Sequence, residues 1–134
     1  MNYALINIIF NSILLGIILL TQFVNYPLFE KINNDFKDYH SNYTNRMGFV
    51  VAPIMTLELL FVILLLINNP LENYTIVIAI STLLIWASTF FIQVPIHNNI
   101  AHKKNRRKIK RLISTNLIRT LLWTIKLFFS VLIV

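Results

Sequence analysis

Four stretches of this chain are each long enough to cross a bilayer and nearly free of charge: Tyr3–Phe23, Met47–Ile67, Tyr74–Ile96 and Leu112–Val134. A helical span needs roughly 20 apolar residues. Unpaired backbone groups are not tolerated in hydrocarbon, so such stretches can only be helices. The chain has 134 residues, 57% of them hydrophobic, and the segments between the stretches are short. No room is left for a soluble domain. Residues 1–134 are therefore expected to form one domain, an all-α integral membrane bundle of four up-down helices, with spans near 3–23, 47–67, 74–96 and 112–134. Short connections make consecutive helices antiparallel neighbours. The first stretch is not expected to be a cleaved signal: it lacks a basic start, its apolar run is too long, and no small-residue cleavage site follows Leu20.

The cations lie on one side of this arrangement. Lys103, Lys104, Arg106, Arg107, Lys108, Lys110 and Arg111 fall between the third and fourth stretches, and Lys31, Lys37 and Arg46 between the first and second. The turn at 68–73 and the residues before the first stretch carry none. The positive-inside rule then places residues 24–46 and 97–111 in the cytoplasm and both termini outside. The run at 103–111 is expected to touch anionic headgroups of the lipid bilayer. Nucleic acid is not expected as a partner, because no aromatic residue is interleaved with those charges to stack on bases. The absence of cysteine excludes disulfides, thiolate-bound zinc, iron–sulfur clusters and thiol relays.

Between the first two stretches, Leu28, Ile32, Phe36, Tyr39 and Tyr43 recur every three or four residues. This predicts a cytoplasmic amphipathic helix over 28–46, lying on the surface and bending into the second span near Gly48. Pro27 and Pro95 should end the first and third spans, a short basic helix should follow Pro95, and Pro53 should kink the second. The only two glutamines, Gln22 and Gln93, each precede one of those terminal prolines. The likeness is a faint mark of duplication.

Polar side chains inside a span need a reason. Glu58 lies eleven residues past Met47, about 16 Å along a helix and near the bilayer midplane. Gln93 and His97 share a helix face, and so do Asn116, Arg119, Thr120 and Trp123. A polar stripe on an oily helix turns toward protein. Lys126 is expected to snorkel outward. Gln22, His40, Tyr43, Arg46, Gln93, His97, Asn116 and Arg119 are expected in or just below the cytoplasmic half, with Glu58 at the limit of its depth. They predict a polar pocket open to the cytosol and floored by Glu58, with Glu58 and Arg119 within water-bridging distance.

Several readings of this pocket follow. Glu58 and His97 are the candidate catalytic pair, acting as a metal site or in proton abstraction from a hydrophobic aromatic ligand entering from the membrane. Gln22, His40, Tyr43, Gln93, Asn116, Arg119 and Trp123 are candidate ligand-binding residues. Two ligands fall short of the four of a closed metal site, and haem between His40 and His97 is a weaker alternative. On a continuous helix His40 and Glu58 would share a face but stand about 27 Å apart. A structural or assembly subunit of a larger membrane complex, or a homo-oligomer, would use the same polar stripe to bind neighbouring helices. A proton-coupled transporter is the third reading. Small exporters that work as antiparallel dimers need a weak charge bias, which this chain lacks.

Taken together, Tyr39-His40-x2-Tyr43-x2-Arg46, Pro53-x4-Glu58, Gln93-Val94-Pro95-x-His97-Asn98 and Asn116-x2-Arg119-Thr120-x2-Trp123 resemble a group of small four-span bacterial membrane proteins. That group is distantly similar to the anthrone-oxygenase-like family, whose third span ends in a Val-Pro-x-Asn/His-Asn motif. His97 stands where Asn is common in that pattern. The resemblance covers most of the chain. It implies a four-helix bundle in a bacterial plasma membrane, a pocket, and oxygenation of an aromatic compound.

Overall fold

The computed structural model describes residues 2–134. Among them there is no strand, and four long helices run over Tyr3–Phe29, Phe36–Asn68, Asn73–His102 and Arg106–Leu132. Each is long and apolar enough to cross a membrane, so the fold is an all-α membrane bundle. The starts of three helices are written locally. Asn2, Glu72 and Asn105 each accept a hydrogen bond from the backbone N–H three residues on, at 3.1, 2.9 and 3.1 Å, which satisfies an otherwise unpaired donor of the first turn. The second helix starts differently. Asp35 takes a left-handed conformation, φ 55°, which a short polar side chain tolerates better than most.

The prolines do not end the first and third helices as the sequence suggested. Both helices pass through them by widening one turn. A π-helical turn covers Thr21–Asn25 and another covers Thr89–Gln93, each placed just before the Pro27 or Pro95 turn. The N–H of Tyr26 bonds to the Thr21 carbonyl, and that of Val94 to the Thr89 carbonyl. Proline offers no N–H and crowds the carbonyl four residues back, and a π turn re-routes the ladder around that defect. The threonines contribute in matching fashion: Thr21 Oγ1 donates to the Ile17 carbonyl at 2.9 Å and Thr89 Oγ1 to the Ile85 carbonyl at 2.8 Å. Both turns thus carry Thr-x3-(Asn/Gln)-x-Pro, a fuller repeat than the glutamines alone showed.

No separate surface helix forms over 28–46. Leu28 and Phe29 close the first helix, residues 30–35 make the loop, and Phe36 to Arg46 are the opening turns of the second helix, which continues through Gly48 and Pro53. The aromatic periodicity is that of a helix end packed on its neighbours, because Phe36 and His40 are buried. Likewise the basic run is not a helix of its own. Arg106 to Arg111 begin the fourth helix.

The fourth helix packs along the first and third, and so does the second; the second and fourth therefore stand on a diagonal. Outward surfaces are apolar, with Phe23, Phe49, Leu83, Phe91 and Phe128 among the most exposed side chains. The interior holds about as many buried polar residues as apolar ones. That inversion suits a bilayer, where lipid gives no hydrophobic drive between helices and small or polar side chains hold them together.

Candidate functional site

At the basic end, the first three helices converge on an aromatic cluster. Phe29, wholly buried, sits 5.0 Å from the Tyr43 ring, 5.5 Å from His40 and 5.6 Å from Tyr26, measured between ring centres. Phe36, Ile100, Ile109 and Leu112 complete this core. It packs the basic end closed, so the expected mouth toward that end is not there.

Within the cluster lies a three-member hydrogen-bonded chain. The Tyr26 hydroxyl meets His97 Nε2 at 3.0 Å, and His97 Nδ1 meets His40 Nε2 at 2.9 Å. Each neutral imidazole has one donor and one acceptor nitrogen. If Tyr26 donates, His97 Nδ1 donates to His40 and the buried His40 Nδ1 carries the last proton; that atom has no protein partner. The opposite polarity is equally closed. The three groups form one hydrogen-bonded chain, from Tyr26, which lines a cavity, to His40 in the aromatic cluster.

That cavity has a volume of about 380 Å³ and lies between the second helix and the other three. Its cause is visible in the packing. The fourth helix touches both π-helical turns, whereas the second helix stands away from them and contacts its neighbours above and below that level. The walls are mainly apolar: Leu14, Ile18, Val51, Met55, Trp86 and Trp123. Polar groups gather at one end, where Tyr26, Tyr43, Gln93, His97 and Arg119 line it. The Tyr43 hydroxyl, Gln93 Oε1 and Arg119 Nε are buried without a protein partner.

Arg119 is held from behind. Its Nη1 donates to Asn116 Oδ1 at 3.2 Å, Asn116 Nδ2 donates to Gln22 Oε1 at 2.9 Å, and Gln22 Nε2 donates to the Ile113 carbonyl at 3.1 Å. Gln93 Nε2 donates to Thr115 Oγ1 at 3.0 Å. Gln22 and Gln93 therefore tie the two π-helical turns to the fourth helix. Of the ligand-binding candidates, Tyr43, Gln93, Arg119 and Trp123 reach the cavity, and Gln22, His40 and Asn116 support it from outside.

Several expectations are corrected. Glu58 neither floors the cavity nor meets Arg119. It pairs with Lys126, which does not snorkel but lies fully buried. Lys126 follows Trp123 by three residues and Arg119 by seven, so helical geometry puts it on the same inward stripe, with its Nζ 4.8 Å from the Trp123 ring centre. The metal pair Glu58/His97 is not assembled. His97 bonds His40, and His40 is five turns from Glu58 on one continuous helix, about 27 Å. Among the described residues no group of three metal-ligating side chains occurs. His40 and His97 also touch directly, which leaves no space for haem iron between them.

Sequence reasoning missed Tyr26 and Phe29. Their signal was present in the repeat: Phe29 stands one turn past its π segment as His97 does past its own. No protein-family model, curated protein or solved structure matches the chain.

Proposed function

We propose that this protein binds a small hydrophobic aromatic compound inside the membrane and takes a proton from it through the Tyr26–His97–His40 chain. The observation that carries this reading is the union of an apolar 380 Å³ chamber with a polar cap at one end. Ligand pockets span about 300–1,000 Å³, with apolar walls and a few convergent polar groups. Tyr26 takes the ligand's proton as its own hydroxyl proton passes to His97 Nε2, the Nδ1 proton of His97 passes to His40 Nε2, and the positive charge rests on His40. Arg119, beside Tyr26, stabilises the anion that deprotonation leaves. The resemblance to the anthrone-oxygenase-like family extends the reading to oxygenation of such a compound. The cytoplasmic side of a bacterial plasma membrane is where the one-sided cations support placing the relay, with both termini outside and residues 103–111 on anionic headgroups.

Polycyclic phenols titrated into the purified protein in lipid nanodiscs should quench Trp86 and Trp123 saturably, and anthrone should consume dioxygen faster with the protein than without it. Saturable binding with no acceleration would remove the oxygenation and leave the binding. No saturable quenching would remove both. Orientation is read by single introduced cysteines at 103–105, since the native chain has none; labelling from outside intact cells would reverse the topology.

A further inference from the structure

The cavity is not sealed on all sides. Of its lining residues on the first helix, Leu14, Ile18, Thr21 and Tyr26 are buried and Ile17 is half-buried. Those along the seam between the second and third helices are not: Gly48 and Ala52 on one side, Phe90, Val94 and Asn98 on the other, are exposed while also lining the chamber. The two helices meet at the basic end through His40 and His97 and again in the opposite half of the bundle, and part along Thr89–Gln93. The seam thus holds a slot, with the exposed Phe90 on its rim. Gly48 sits at its edge with nothing within 4 Å of where a Cβ would be. The slot opens sideways, toward lipid, while the aromatic cluster blocks the route from water at the basic end.

A second observation bears on what passes through. Arg119 is 8% exposed and lines the chamber. It donates to the neutral Asn116 and stands beside the Tyr26 hydroxyl, and its Nε has no protein partner. The single ion pair among the described residues is Glu58–Lys126, so no carboxylate of the protein answers the guanidinium. A buried cation facing an apolar chamber is costly unless an anion completes it, and a guanidinium presents the planar fork that a carboxylate or phenolate fits.

We infer that the chamber takes a membrane-partitioned amphiphile with one acidic group, a phenol or a carboxylic acid, which enters sideways between the second and third helices and rests that group, ionised, on Arg119. This rests on the ligand-binding reading above and names its ligand class and route. The apolar body lies against Met55, Trp86 and Trp123. The anionic group stays at the polar end, beside Tyr26 and Tyr43.

The test uses the full chain in phosphatidylcholine vesicles, with pyrenecarboxylate and its uncharged amide as matched probes and energy transfer from Trp86 and Trp123 as the signal. The carboxylate should bind at least ten-fold tighter than the amide. Arg119→Met should erase that preference, and Arg119→Lys should keep most of it. Gly48→Trp should slow carboxylate association at least ten-fold, while Gly16→Trp, on an exposed face of the first helix outside the chamber lining, leaves the rate unchanged; circular dichroism confirms that each variant is folded. If neither probe binds, the ligand-binding reading itself fails. If both bind equally, the anionic ligand is wrong and the chamber stands. If Gly48→Trp associates at the wild-type rate, the slot is not the route.

Discussion

Glu58 and Lys126 form an ion pair at the centre of the bundle, with neither side chain reachable from outside. Their separation along the chain equals that from Thr21 to Thr89 and from Pro27 to Pro95. The pair therefore joins equivalent positions of two helical hairpins, across the diagonal between the second and fourth helices. Opposite charges stand where a strict repeat would place like ones.

Removing one member leaves the other as an uncompensated buried charge, at a cost of about 3–5 kcal/mol. Lys126→Met and Glu58→Leu should each destabilise the bundle by that order. The double variant should recover most of the loss, because two apolar side chains need no counter-charge. Unfolding in mixed micelles measures the cycle, and additive losses would show that the two residues act independently.

Phe29 is wholly enclosed by Tyr26, Phe36, Tyr39, His40, Tyr43 and His97. Phe29→Ala should cost about 3–5 kcal/mol. It should also weaken ligand binding, since Tyr26 and His97 lose the ring that positions them. A stable variant with unchanged binding would show that the relay needs no such support.

Gly48 stands in the second helix with open space about its Cα. Gly48→Ala should stabilise the helix by about 0.5–1 kcal/mol, seen as a raised Tm. A lowered Tm would mean that another helix approaches that point.

Lys104 fastens the loop that follows the first helix. Its Nζ donates to the Glu30 carbonyl at 3.0 Å, to the Ile32 carbonyl, and to Asn33 Oδ1 at 3.1 Å. Lys104→Met should speed amide exchange at residues 30–35 without altering the spans. Unchanged exchange there would show that Asp35 and the aromatic cluster hold the loop alone.

The spans were legible because hydrophobic length is a one-dimensional property, and so was the stripe Asn116–Arg119–Thr120–Trp123, whose spacing is fixed by the helix itself. Lys126 belongs to the same stripe and was misread as snorkelling because position near an oily end outweighed periodicity. The Tyr26–His97–His40 chain was not legible, since it depends on the stagger between helices, and nothing in a single strand of sequence records that. The π-helical turns were half visible. Thr-x3-(Asn/Gln)-x-Pro appears twice, but a proline alone does not say whether a helix stops or widens.

The central charge pair bears on how the molecule is made. The first hairpin leaves the ribosome with Glu58 and without its counter-ion, and the second arrives with Lys126. A charged residue in mid-membrane costs about 2.5–3.5 kcal/mol on insertion, so each half is a poor resident of the bilayer until it finds the other. A nascent chain cut short after the second helix would present an acidic group to lipid with no lysine to answer it.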